Sequence, residues 1–506
     1  MESASGPTKE VLCNSDLLDI ICWFIRATLG TKSLCALALT CHATCDTALN
    51  YLWQDISGME PLLSIFPHAV SSRSNLPWIP PNAISDETWA RFDRYSSRIR
   101  SITLAARSRI LHSPTIFLRL AELKQEPLLP KLQKLIVDVT FVADTSVLLF
   151  LSSPLLDEVE ITFPSDPEAD MAPMSIWTVG WKVPGLRSLT FAHQYLHQVD
   201  YPSPPEPVFP FSSFPHLRQL RKLNIKTYSV DFSCLVQLSS LPHLAELQVI
   251  VARSGNPQQR LSQIVFPSLE SLDVAADVSL MPSILRLIRQ GSLTSLTYRN
   301  WLDPNFIGLA DSLQAFHAEI VSRFPSLTSL TLNYCRYDYT PPSREEDRES
   351  LRAVMQPLYD LSKLQIFIYN SVPCMHNDAV ALRLATSWPE IRTLCVSNLL
   401  GTSPTYRILA ALATHCPFLT RLIIPITFPE NYDPLPDDGV FSHRLHTLLV
   451  YDGKVDRQHA SVAHYLDRMF PFLVLVEGGE GWDLVESIIL KACQPARWEQ
   501  PQRLRG

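Results

Sequence analysis

The sequence predicts an α/β chain in which a small N-terminal three-helix module precedes a curved parallel sheet backed by helices. Three observations carry this. A phrase of the form apolar-Pro-x-Leu-x-x-Leu-x-apolar recurs along most of the chain. Segments of helical period separate its copies. Glycine is scarce and proline abundant, at 15 and 40 of 506 residues, where average usage gives about 35 and about 25.

The phrase reads LPKLQKLIV at 129–137, VPGLRSLTF at 183–191, LPHLAELQV at 241–249, FPSLESLDV at 266–274 and FPSLTSLTL at 324–332, with weaker copies at 388–396 and 416–424. Its first anchors are Ile99, Leu132, Leu156, Leu186, Leu220, Leu244, Leu269, Leu293, Leu327, Leu364, Ile391, Leu419 and Leu445, with a possible last copy at Leu473. After the second leucine the residues alternate, which is the two-residue period of a half-buried strand. Between strands, 311–324 and 376–388 place apolar residues at three- and four-residue steps, the spacing of a helix. Proline is expected to end each helix and fix an extended start to the strand. A unit this short cannot bury its own apolar side, and stacking its neighbours does so. These phrases resemble leucine-rich repeats of irregular length over residues 95–477. The asparagine usual after the strand is largely missing, although Asn333, Asn370 and Asn398 stand near that point.

Residues 11–60 have another texture. Asn14 or Ser15 can cap a first helix with Asp16 in its opening turn, and Leu17, Ile20, Ile21 and Phe24 form one apolar stripe. Thr31 or Ser33 opens a second helix with Leu34 and Leu37, and a third runs from about Cys45 to Trp53. This segment resembles an F-box. Asp16-Leu17-Leu18 matches the acidic-Leu-Leu core, Leu34, Leu37 and Leu39 the middle helix, Cys41-His42 the Cys-basic step and Leu52-Trp53 the closing pair. Asn14 stands at the family's proline and Thr44 at its aromatic. The layout is similar to that of fungal F-box proteins with irregular leucine-rich repeats. The resemblance implies that Leu17, Leu18, Ile21, Leu34, Leu37 and Trp53 dock a Skp-type adaptor of a cullin–RING ubiquitin ligase. The chain would then be a non-catalytic substrate-recognition subunit that acts by proximity. The alternative is a leucine-rich-repeat scaffold without the ligase contact.

The expected layout is a tail at 1–10, the helical module at 11–60, a connecting segment at 61–94, the solenoid at 95–477 and a C-terminal cap at 478–506. Outward strand positions carry mixed charge in the first half, including Lys134, Glu158, Glu160, Lys222, Lys226, Glu246 and Asp273. They turn apolar at Ile366, Ile368, Cys395, Ile423, Leu449 and Tyr451. That apolar run is the expected substrate anchor, unless the C-terminal segment folds back over it. Proline-rich stretches at 164–173, 202–215, 341–349 and 429–439 read as surface loops.

The remaining chemistry is sparse. A formal charge of −7, from 43 Lys+Arg against 50 Asp+Glu, disfavours a nucleic-acid partner. Scarce glycine disfavours phosphate-cradling loops. CHATC at 41–45 lacks a second ligand pair at finger spacing, so no metal or cofactor is expected, and no nucleophile elbow or zinc-protease helix occurs. The sequence predicts no enzyme. Eleven scattered cysteines suit a reducing compartment. With no leader-like or membrane-spanning stretch, the expected location is cytoplasmic or nuclear.

Overall fold

The computed structural model describes residues 14–66, 84–105, 114–124, 126–139, 147–163, 171–193, 216–252, 265–300, 310–334, 353–370, 378–396, 404–428, 443–450, 455 and 458–493. Two compact units divide the chain, one of residues 1–229 with 241–244 and one of 230–240 with 245–506.

The first unit opens with α1 (Ser15–Leu29), α2 (Thr31–Ala38) and α3 (His42–Trp53). Asn14 caps α1, its side chain accepting from the Asp16 and Leu17 N–H groups at 3.0 and 3.1 Å. Gly30, at φ 78°, ends α1 and starts α2 in a left-handed conformation that side chains resist. Cys22, Leu34 and Ala48 form the module's small core. Then come β1 (Asp55–Ser57), α4 (Glu60–Leu63), α5 (Asp86–Ser96), β2 (Ser101–Leu104), α6 (Pro114–Leu123), β3 (Lys134–Asp138) and α7 (Val147–Phe150). After these lie β4 (Glu158–Phe163), α8 (Met171–Lys182), β5 (Ser188–His193) and β6 (Lys222–Val230). β1 to β6 pair in sequence order, all parallel.

The second unit contains α9 (Phe232–Leu238), β7 (Glu246–Val251), β8 (Ser271–Ala275), α10 (Met281–Arg286), β9 (Ser295–Asn300), α11 (Ala310–Arg323) and β10 (Ser329–Tyr334). It continues with β11 (Ile366–Asn370), α12 (Asp378–Ser387), β12 (Thr393–Val396), α13 (Arg407–His415) and β13 (Arg421–Ile423). It closes with β14 (Thr447–Val450), α14 (His459–Met469), β15 (Leu475–Gly478) and α15 (Trp482–Ile488). β7 to β15 again pair in order and in parallel. Parallel strands added one by one, most reached through a helix or helical turn, make a leucine-rich-repeat solenoid.

Most repeats close in the same way. Every anchor from Ile99 to Leu473 is at most 3% exposed. Anchor N–H groups donate to the carbonyl three residues earlier, as in Leu132 to Leu129, Leu186 to Val183, Leu327 to Phe324 and Ile391 to Trp388, at 3.1–3.2 Å. Proline therefore sits second in a tight turn, where its fixed φ fits and its missing N–H costs nothing. It does not start an extended strand, as the sequence suggests. The next two N–H groups then share one carbonyl of the preceding repeat. Gln133 and Lys134 donate to Arg100 O at 2.7 and 2.9 Å, and Thr328 and Ser329 to Thr294 O at 2.9 and 3.1 Å.

Two boundaries differ from expectation. β1 lies inside the segment read as purely helical, with Ile56 opposite Ile102. Met171–Pro173 open α8 rather than ending a loop. The other proline-rich stretches, and the rest of 164–173, lie outside the described residues.

Candidate functional site

Two surfaces can meet a partner. The first is the outer side of α1. Its inner side buries Leu18 and Cys22, with Ile25 packed against the core. Leu17, Ile20, Ile21 and Phe24, at helical steps of three and four, are 41, 62, 37 and 57% exposed. Trp23 and Leu29 are exposed as well. Four large apolar side chains thus gather in one exposed stripe rather than scatter singly over the surface.

The residues expected to dock an adaptor separate accordingly. Leu17 and Ile21 lie on the exposed stripe, and Leu37 is half-buried. Leu18 and Leu34 are buried and reach no surface, Leu34 as part of the core that the three helices share. Trp53 is half-buried with its ring 4.6 Å from that of Tyr95. It stands three residues before Ile56, the spacing of an anchor, and so begins the first repeat. Thr44, at the family's aromatic position, is buried, and its hydroxyl donates to Leu37 O and Cys41 O at 2.9 and 3.1 Å. That hydroxyl ties the α2–α3 turn. Cys41 carries a thiol pushed below its usual range by hydrogen bonding to Thr44.

The second surface is the sheet face not covered by helices. Register aligns Ile368, Cys395, Ile423 and Leu449 in a single row across β11 to β14. Ile366 lies one row over, beside Thr393. Ile366 is 37% exposed and Ile368 and Leu449 are partly exposed. Cys395 and Ile423 are buried, so they leave the contact surface. The Cys395 thiol points to Asn370 Oδ1 at 3.6 Å, and burial pushes it up. Tyr451, and the side chain of Lys226, lie outside the described residues. α15 packs on α14 and β15, with Trp482 and Val485 buried there, so the described part of the C-terminal segment does not lie across β11–β14.

Two ion pairs cross neighbouring strands on this face. Lys134 meets Glu158 across β3–β4 at 2.8 Å, and Arg299 meets Asp273 across β8–β9 at 2.9 Å. Asn370 donates to Asn333 Oδ1 at 2.7 Å. Both asparagines alternate with buried neighbours and so belong to the open face, not to a buried ladder after the strand; among the described asparagines Asn300 is the buried one. Asn398 is outside the described residues.

Among the described residues, no group of three or more His, Cys, Asp or Glu could hold a metal ion. Also among them, no helix is long and apolar enough to cross a membrane. The buried His317 Nδ1 lies 2.7 Å from Val354 O and its Nε2 lies 2.9 Å from Tyr334 Oη. A carbonyl only accepts, so Nδ1 holds the proton and Nε2 accepts from the tyrosine. This core network ties α11 and β10 to Val354, ahead of β11.

No family model matches the chain, and no curated protein matches it significantly. Among solved structures, an internalin from Listeria monocytogenes is 12% identical, covering 83% of this chain and 93% of its own, at a TM-score of 0.37. A chain of the yeast Rad7–Elc1 complex is 14% identical, covering 94% and 90%, also at 0.37. A leucine-rich-repeat protein of Leptospira interrogans is 13% identical, covering 87% and 93%, at 0.35. These superpositions are loose, and the leucine-rich-repeat solenoid is assigned on this chain's own strand order, register and anchors.

Proposed function

We propose that the chain is the substrate-recognition subunit of a Skp–cullin–F-box type ubiquitin ligase: a non-catalytic, cytoplasmic or nuclear adaptor. The observation that carries this reading is the apolar stripe Leu17, Ile20, Ile21 and Phe24, exposed on the first of three helices that immediately precede a repeat solenoid. Burying such a stripe against an adaptor contributes roughly 25 cal/mol per Å². The open sheet face, anchored at Ile366, Ile368 and Leu449, would hold the substrate protein. Transfer then accelerates because one chain holds both the ligase and its target.

Co-expression tests the reading. A Skp-type adaptor should co-purify with the full chain, and Ile20→Asp with Phe24→Asp should abolish recovery while the chain remains folded. Leu34→Ala should instead lower the melting temperature. A second reading, a repeat scaffold without the ligase contact, draws on the burial of Leu18 and Leu34 and the packing of Trp53 on Tyr95. Failure of the unmutated chain to retain the adaptor selects it.

A further inference from the structure

A cleft of about 620 Å³ opens within the first unit, where α1, α3 and α5 meet the starts of β2 and β3. Arg94, Arg98, Arg100 and Lys131 line it, against the single carboxylate of Asp19. The sequence places these residues up to more than a hundred positions apart, and the fold gathers them.

The backbone holds the wall in place. Gln54 O accepts from the Arg100 and Ser101 N–H groups at 2.8 and 2.9 Å, and Arg100 O accepts from Gln133 and Lys134. Arg98 is already engaged: it donates to Asp46 O at 3.0 Å and Asp46 Oδ1 at 2.8 Å, and it also bonds Asn50. Arg100 reaches Lys131 O at 3.5 Å. Among the described residues, neither Arg94 nor Lys131 forms an ion pair. Both are exposed at the mouth.

With Arg98 paired to Asp46, the charges of Arg94, Arg100 and Lys131 still outnumber the single carboxylate of Asp19 in the lining, and the field they focus there attracts anions. The effect is local, since the whole chain carries −7 and repels polyanions elsewhere. Guanidinium groups match phosphate oxygens in paired hydrogen bonds. The lining offers one ring, Tyr51, and no aliphatic side chain apart from polar and charged stems, too little apolar surface to receive an acyl tail. We propose that this cleft binds a compact, soluble small molecule bearing two or more phosphate groups, with Arg94, Arg100 and Lys131 as its ligands and Arg98 as the fixed floor.

Calorimetry on the full chain with tripolyphosphate tests this. Saturable binding at one per chain is expected, weakening with added salt. Arg94→Gln with Lys131→Gln should weaken it at least tenfold without changing the circular-dichroism spectrum. Asp19→Asn, which removes the opposing charge, should tighten it severalfold. Unchanged affinity in the double variant, or no saturable binding by the unmutated chain at millimolar ligand, overturns the proposal. Binding to vesicles containing a phosphoinositide, with none to tripolyphosphate, overturns the soluble ligand in favour of a lipid headgroup.

Discussion

His317 shows how much a single side chain can report. Burial lowers its pKa from 6.5 to about 4, with the hydrogen bond to Val354 O opposing that shift. Its stabilising contribution is complete above the unfolded value and declines as pH falls from about 6.5 towards 4, because only the unfolded chain takes up the proton. The loss is on the order of 3 kcal/mol. Denaturant melts of the unmutated chain and His317→Phe should therefore converge over that window. The variant begins about 1–3 kcal/mol less stable at pH 7, since the buried Val354 O loses its donor. Parallel pH profiles would contradict the assignment. Cysteines offer a second readout at the same scale. Cys41 is exposed with a lowered pKa, whereas burial pushes Cys416 up to about 12 and raises Cys22 and Cys234. Brief alkylation followed by mass spectrometry should label Cys41 before Cys22, and leave Cys234 and Cys416 unmodified in the native chain. Early labelling of Cys234 would refute this.

At the scale of the element, strands were legible because the leucine spacing marks both the turn and the buried side. Helices α11 and α12 fall within two residues of their expected bounds, since their apolar steps follow one face. α1 was legible as a helix but not in orientation. Its apolar residues run nearly all round, and periodicity does not say whether Leu17 or Leu18 points inward. β1 escaped because Trp53 takes the anchor position that leucine or isoleucine holds elsewhere. The basic cleft left no linear signal, as Asp19, Arg94 and Lys131 belong to three separate elements. Position within a repeat should govern the response to substitution. Leu330→Ala removes a fully buried strand residue and should cost about 2–5 kcal/mol. Thr331→Ala, its outward neighbour, should stay within about 0.5 kcal/mol. Equal losses on chemical denaturation would mean that the open face is not open.

For the whole molecule, stacking in sequence order makes cohesion a sum of neighbour terms. Hydrogen exchange on the Leu330→Ala chain should thus rise across β9 to β11 and remain unchanged in β2 to β4. A uniform rise would indicate one indivisible folding unit. The turn geometry has a consequence of its own. Within the turn, an imino acid is tolerated two residues before the anchor, where no hydrogen is required. Three and four residues further along, the chain must supply the two donors that clasp the previous layer. Sliding a repeat so that its ring fell on either donor would forfeit a clasp outright. The recurrent turn proline thereby acts as a proofreading mark, penalising layers that try to assemble out of step.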